Sequence, residues 1–288
     1  LYVCDQMADK VVVLDASTDN LEEIRVIDID FDESAPTERP HFIAIDEVNG
    51  YWFVSTFMSG YVGMYSLETD SLLGAVEIGD SPALLAADTD TQTLYVSKMM
   101  AMMGMPGGEE YEISVVDYSS GLPELATAIN IPALDNNITE FPQPHALSIA
   151  NNVPGRGTLI ATASNSADWI SMIFNDNTNV VSEGLVEDDP RPEDGYGLQP
   201  IQSAQKDNLI FYSLSGTAQD SIPGEVRSWS TFPFKEVDRF TDFTTADASP
   251  WHIIASPTAQ EVFVALRGTS NGNGGVACLT YDDDGNLT

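Results

Sequence analysis

Residues 40–78 read PHFIAIDEVNGYWFVSTFMSGYVGMYSLETDSLLGAVEI. Four short runs make up the stretch: PHFIAID at 40, WFVSTF at 52, VGMYS at 62 and a more polar SLLGAVEI at 71. Each is rich in β-branched or aromatic residues, and none keeps a 3.6-residue apolar period, so the runs read as strands. Val48-Asn49-Gly50 between the first two supplies hairpin-turn chemistry. The stretch is therefore one antiparallel sheet of four strands, named A to D in chain order.

The same pattern returns along the chain, and internal repeats decide a fold before local propensity does. C-type runs start at Val11, Val62, Ile113, Ile170, Val226 and Val276, spaced 51, 51, 57, 56 and 50 residues apart. Each follows a B-type run of three apolar residues and a small one, ending at Cys4, Ser55, Ser97, Thr162, Ser213 and Ala265. Five A-type runs open on proline, at Pro40, Pro82, Pro144, Pro200 and Pro250. Four antiparallel strands repeating about every 50 residues imply an all-β fold, a β-propeller of four-stranded blades. Radial stacking would bury both faces of each blade, which accounts for apolar residues on nearly every strand. The expected blades cover approximately 1–32, 40–79, 82–131, 144–187, 199–243 and 250–288 of a single domain.

These residues carry a resemblance. Pro40-His41-Phe42-Ile43-Ala44-Ile45-Asp46, followed by a turn and Trp52-Phe53-Val54-Ser55, resembles the YVTN/YncE-like β-propeller repeat family, and Leu94-Tyr95-Val96-Ser97 is similar to its name-giving tetrad. The resemblance covers essentially the whole chain and speaks to fold, not activity. More distantly the chain resembles the propeller domains of nitrous oxide reductase and haem-d1 nitrite reductase. The family's usual ring implies seven blades. The chain offers strands B to D of one blade, four complete blades and strands A to C of a last one. Seven blades are expected if residues outside a trimmed chain complete the ring, with six as the alternative. Leu1 already lies in an apolar run without an initiator Met or signal peptide, which fits a processed or trimmed chain.

Charge narrows the function classes. Asp and Glu number 45 against 11 Lys and Arg, for a net charge of −34. Nucleic-acid binding needs cations that displace phosphate counterions, and this chain lacks them. No apolar run is long enough to span a bilayer as a helix. The acids are scattered between apolar segments, as on a solvated skin over a folded core. Such a skin suits a salty setting where screening weakens self-repulsion, so the expected location is periplasmic or extracellular, at the cell surface. Cys4 and Cys278 lie near the two ends and read either as a disulfide staple or as two buried thiols on strands.

Few residues carry evident chemistry. Histidine is limited to His41, His145 and His252. His41 and His145 share the position after the A-strand proline, while His252 falls one residue later and should face the other way. Neutral imidazole ligates Zn, Cu and Fe, so His41 and His145 are candidate metal or haem ligands. The alternative is a strand-opening residue hydrogen-bonded to backbone, as the family resemblance implies. Met99, Met100, Met102, Met103 and Met105 crowd one B–C connection, where soft thioethers suit copper and flexible side chains suit docking or packing. Asp28, Asp30 and Asp32 alternate as if on one strand face, and Asp282-Asp283-Asp284-Gly285-Asn286 faintly resembles a Ca²⁺ loop, so Ca²⁺ is a further candidate; a solvated face and a hairpin turn are the plainer readings. Arg191 and Tyr196, in an acidic Pro/Gly-rich D–A connection, and Arg267, after the last B run, are candidate ligand or partner contacts; the two cations suit an anionic group or local salt bridges.

No G-x-S-x-G, H-E-x-x-H, P-loop or G-x-G-x-x-G occurs. The expected function is thus an exported, non-catalytic β-propeller that binds a protein partner or small ligand at one ring face. The alternative is a metal- or redox-cofactor-handling propeller, with copper or haem held by His41, His145 and the Met99–Met105 loop.

Overall fold

A computed structural model of the chain describes residues 1–17, 20–79, 81–98, 112–131, 144–151, 153, 155–164, 169–176, 178–184, 197–216, 222–243, 249–268 and 274–288. Among them there is no helix, and six antiparallel sheets make up the fold. The chain forms two compact units, Leu1–Ile129 and Asn130–Thr288.

In the first unit, β1 (Tyr2–Asp5), β2 (Lys10–Leu14) and β3 (Glu23–Asp28) form a three-stranded sheet. Next come β4 (Pro40–Asp46), β5 (Tyr51–Thr56), β6 (Tyr61–Ser66) and β7 (Leu72–Glu77). The third sheet holds β8 (Pro82–Asp88), β9 (Thr93–Lys98), β10 (Glu112–Asp117) and β11 (Glu124–Asn130). The second unit has β12 (Pro144–Ala150), β13 (Leu159–Ser164), β14 (Trp169–Phe174) and β15 (Asn179–Gly184) in one sheet. Another contains β16 (Pro200–Lys206), β17 (Leu209–Leu214), β18 (Glu225–Thr231) and β19 (Phe234–Phe240). The last is β20 (Pro250–Ala255), β21 (Glu261–Leu266) and β22 (Gly275–Thr280). Strands pair in chain order, so the repeat read from the sequence is the strand order of propeller blades.

Both faces of the middle sheet in each unit are buried, because strand side chains alternate. Trp52 and Val54 of β5 pack toward Val11 and Ile29 of the first sheet, and Phe53 packs with Leu94, Val96 and Val116 of the third. In the second unit, Ile210, Tyr212 and Leu214 of β17 join Ile170 and Met172 of β14, and Phe211 joins Ile253 and Val264. Trp52 also stacks on its cross-strand partner Tyr65, with ring centroids 4.1 Å apart. Gly63 interrupts β6 for a steric reason: a Cβ there would lie 2.1 Å from Cζ of Phe31. The ring therefore needs a residue with no side chain beneath it.

All five A strands lose register just after their proline: between Pro40 and Phe42, Pro82 and Leu85, Pro144 and Ala146, Pro200 and Gln202, and Pro250 and Ile253. Proline gives no N–H to the ladder, so an inserted residue is tolerated there as a bulge. Arg39, Ser81 and Gln199 immediately before three of these prolines have φ of +53°, +56° and +49°, which turns the chain into the strand. The bulge leaves a carbonyl without a partner in its own ladder, and the preceding sheet supplies one. Ser55 Oγ donates to Ala83 O at 2.7 Å, and Ser213 Oγ donates to Trp251 O at 2.6 Å. At Ser55 and Ser213 the repeated small residue of the B runs is thus a bridge between neighbouring sheets, whereas Ser97 Oγ bonds to Leu84 of its own sheet.

One alignment needs correction. Ala163, not Thr162, is the fourth sheet's counterpart of Ser55 and Ser213. Ser55 pairs with Phe42 and Val62, Ser213 with Gln202 and Val226, and Ala163 with Ala146 and Ile170. A buried carbonyl left without its donor loses about 1–2 kcal/mol. Ser55→Ala and Ser213→Ala should each lower unfolding free energy by that amount in urea titrations. An unchanged midpoint would remove the bridging role.

Candidate functional site

His41 and His145 occupy the same bulge position but bond differently. His145 Nδ1 lies 2.7 Å from Ile201 O. A carbonyl only accepts, so Nδ1 carries the proton and donates, leaving the lone pair on Nε2. Ile201 O is the equivalent of Ala83 O and Trp251 O. In this sheet Ala163 has no hydroxyl to offer it, and His145 takes over the serine's task. His41 Nδ1 instead lies 2.6 Å from Gln6 Nε2, and its ring centroid is 6.3 Å from that of Phe57. The amide can only donate, so His41 carries its proton on Nε2.

Burial holds both imidazoles of the second unit neutral at pH 7. His145 is pushed down to about 4, chiefly by desolvation, partly opposed by the bond to Ile201 and aided by nearby His252. Desolvation also holds His252 below the usual histidine value. His252, one position further along its own A strand, lies within electrostatic range of His145. The bulge between Pro250 and Ile253 suspends strict alternation at that point.

The same bulge carries Trp251. Its carbonyl is fixed by Ser213 and its indole is half-buried. Arg267, exposed just past β21, lays its guanidinium over that ring with Cζ 4.6 Å from the centroid. Its backbone N–H donates to Ser249 O at 2.9 Å, and the adjoining Leu266 pairs with Pro250, which fixes the stack at the start of β20. Trp251 was missed in the sequence. Its signal was an aromatic at the bulge position of an A strand, opposite a rare cation.

The acidic candidates have other tasks. β3 ends at Asp28, so Asp30 and Asp32 do not share a strand face with it; this corrects the alternation read from the sequence. Asp28, Asp30 and Asp32 line a cleft of about 440 Å³ together with Asp9 and Glu38. Asp9 accepts from Thr37 Oγ1, Glu38 N and Arg39 N, and Glu38 accepts from Phe31 N and Asp32 N. These carboxylates clamp the loop into β4. Asp282 accepts from Asp284 N and Asn286 N, closing a turn that brings Leu287 back against Tyr281. Among the described residues, no three His, Cys, Asp or Glu side chains are grouped to hold a metal ion.

Cys4 and Cys278, read above as a staple or as two buried thiols, are free in this structure; Cys4 is half-buried and Cys278 exposed. Burial pushes the Cys4 thiol up to about 12, so it stays protonated. Met99, Met100, Met102, Met103, Met105, Arg191 and Tyr196 lie outside the described residues. The structure therefore places His145, His252 and Arg267 in the second unit, seats Arg267 beside Trp251, and places His41 in the first.

No family model and no curated protein matches the sequence. Solved structures do match. The β-propeller domain of Cps50 (Swd1) from Myceliophteria thermophila is 11% identical, with a TM-score of 0.59 over 98% of this chain and 86% of its own. A chain of a mitotic checkpoint complex is 13% identical, with a TM-score of 0.67 over 100% of this chain and 72% of its own. A catalytically inactive virginiamycin B lyase of Staphylococcus aureus with quinupristin is 11% identical, with a TM-score of 0.61 over 92% and 73%. At such identities the likeness concerns the fold alone, a β-propeller. The narrower YVTN/YncE-like family is not reached by it.

A histidine whose folded value lies below its unfolded one destabilises the fold as pH falls, because the unfolded chain takes the proton first. The His145 contribution is complete above about pH 6.5 and lost toward pH 4. His145→Gln keeps a donor for Ile201 O and cannot titrate. Relative to that variant, the wild type should lose about 2 kcal/mol between pH 7 and pH 5. Parallel stability curves would contradict the buried neutral imidazole.

Proposed function

We propose that the chain is an exported, non-catalytic β-propeller that binds a protein partner or small ligand at the blade ends where A strands begin. One observation carries the reading: in each unit the longest connections join strand ends on the side of the sheet where its A strand begins. β9 stops at Lys98 and β10 starts at Glu112; β11 stops at Asn130 and β12 starts at Pro144; β15 stops at Gly184 and β16 starts at Pro200. At the opposite end the turns are tight, from Asp46 to Tyr51, Asp88 to Thr93, Lys206 to Leu209 and Thr231 to Phe234. Long loops on a rigid sheet scaffold are where recognition concentrates. The Trp251–Arg267 pair stands at this end, and aromatic and Arg side chains are the usual anchors of interfaces. Membership of a checkpoint complex by one fold neighbour agrees with a scaffold role. A periplasmic or extracellular location is supported by the net charge of −34, which salt would screen.

The test uses a partner isolated from the extracellular or periplasmic fraction, purified and then titrated. Trp251→Ala should weaken its binding at least tenfold, while Val48→Ala, at the opposite end, should leave it unchanged. Equal affinities, or chemical conversion of the bound species, would contradict the reading.

A second reading, a copper- or haem-handling propeller using His41, His145 and Met99–Met105, draws support from the His145 tautomer. With Nδ1 donating to Ile201, Nε2 keeps its lone pair for a metal. Purified protein should then hold stoichiometric metal or absorb between 300 and 700 nm, and lose this on His145→Ala. Metal-free, colourless protein from copper-supplemented growth would end this reading.

A further inference from the structure

Acids are scarce on the strands of the second unit around Trp251: β21 has Glu261 at its far end, and Glu225 of β18 is paired with Arg227. β12, β13, β14, β16, β17, β20 and β22 lack Asp and Glu altogether. So do residues 249–260 and 266–281, in a chain where about one residue in six is acidic. Arg267 stands between these two stretches and has no carboxylate partner among the described residues. Arg25, also exposed, behaves differently and is paired with Asp70 at 3.1 Å. An exposed guanidinium in so acidic a protein would ordinarily collect a carboxylate. Here none of the described residues supplies one.

The geometry leaves its binding edge open. Arg267 is exposed with its Cζ 4.6 Å from the Trp251 centroid, so the ring covers one side of the guanidinium and its fork of N–H donors stays accessible. Such a fork matches the two oxygens of a carboxylate or phosphate. The platform is fixed: Ser213 holds the Trp251 carbonyl, and Ser249 O holds the Arg267 backbone N–H. The imidazoles of His145 and His252 add neutral groups, not anions, nearby.

We propose that the start of β20 is an oxyanion site, in which Arg267, seated on Trp251, receives a carboxylate or phosphate group of the ligand. This rests on the ligand-binding reading above and gives the ligand its chemical class.

Trp251 supplies the readout. Of the four tryptophans, Trp52, Trp169 and Trp229 are buried, so collisional quenchers report Trp251. In 0.5 M salt, iodide should quench it more strongly than caesium, against the sign of the net charge. Sodium acetate and inorganic phosphate, titrated separately, should relieve the iodide quenching and show which oxyanion is preferred. Arg267→Gln should abolish both the iodide excess and the relief. Arg267→Lys, which keeps charge but loses the fork, should weaken relief at least fivefold. Caesium quenching equal to iodide in the wild type, or no relief by either oxyanion, would overturn the site. If the partner's binding still falls in Trp251→Ala but not in Arg267→Gln, the oxyanion inference fails and the binding reading stands. If oxyanions bind yet Trp251→Ala leaves partner binding intact, the binding reading fails instead.

Discussion

A backbone carbonyl with no partner in its own sheet is the constraint on which the arrangement depends. Proline at the head of each A strand accompanies an inserted residue, and at Ala83, Ile201 and Trp251 the inserted residue's carbonyl accepts from a side chain of the preceding sheet. The preceding sheet must then present a donor at one position. Ser55 and Ser213 do so with hydroxyls, and His145 does so with Nδ1 where Ala163 cannot. Each bridge is modest in energy, but each also fixes the register of one sheet against the next. Apolar burial on both faces supplies most of the stabilisation, and it lacks this directional information.

The bridge also shapes the start of β20. Because Ser213 pins the Trp251 backbone, the indole is held half-exposed at the start of β20 and can serve as a seat for Arg267. Acids are placed elsewhere, in the loop clamps of Asp9 and Glu38 and the Asp282 turn, where their oxygens accept backbone N–H groups. The chain thus combines a net charge of −34 with a second unit in which β12, β13, β14, β16, β17, β20 and β22 carry no acid. Among the described residues this leaves Arg267 without a carboxylate partner.

The fold was legible because repeated strands leave repeated residues. The C-run anchors at Val62, Ile170, Val226 and Val276 fall opposite Ser55, Ala163, Ser213 and Ala265, as a shared register requires. The site was less legible, because bulges have no signature in apolar alternation. A one-residue insertion after each A-strand proline hid the equivalence of Ala163 with the bridging serines. The alternation of Asp28, Asp30 and Asp32 misled for the opposite reason: period two persisted beyond the end of β3, where the backbone no longer keeps it. Arg267 could be picked out as a rare cation. Its seat on Trp251 depended on cross-strand register that only coordinates supply.

The most direct test of this account is the protonation state of one ring. Long-range ¹H–¹⁵N correlation spectra of ¹⁵N-histidine-labelled protein at pH 6 should show His145 neutral, with its proton on Nδ1 and Nε2 bare. An imidazolium at that pH, or a proton residing on Nε2, would mean that Ile201 O is not bridged and that the carbonyl-bridging rule does not organise these sheets.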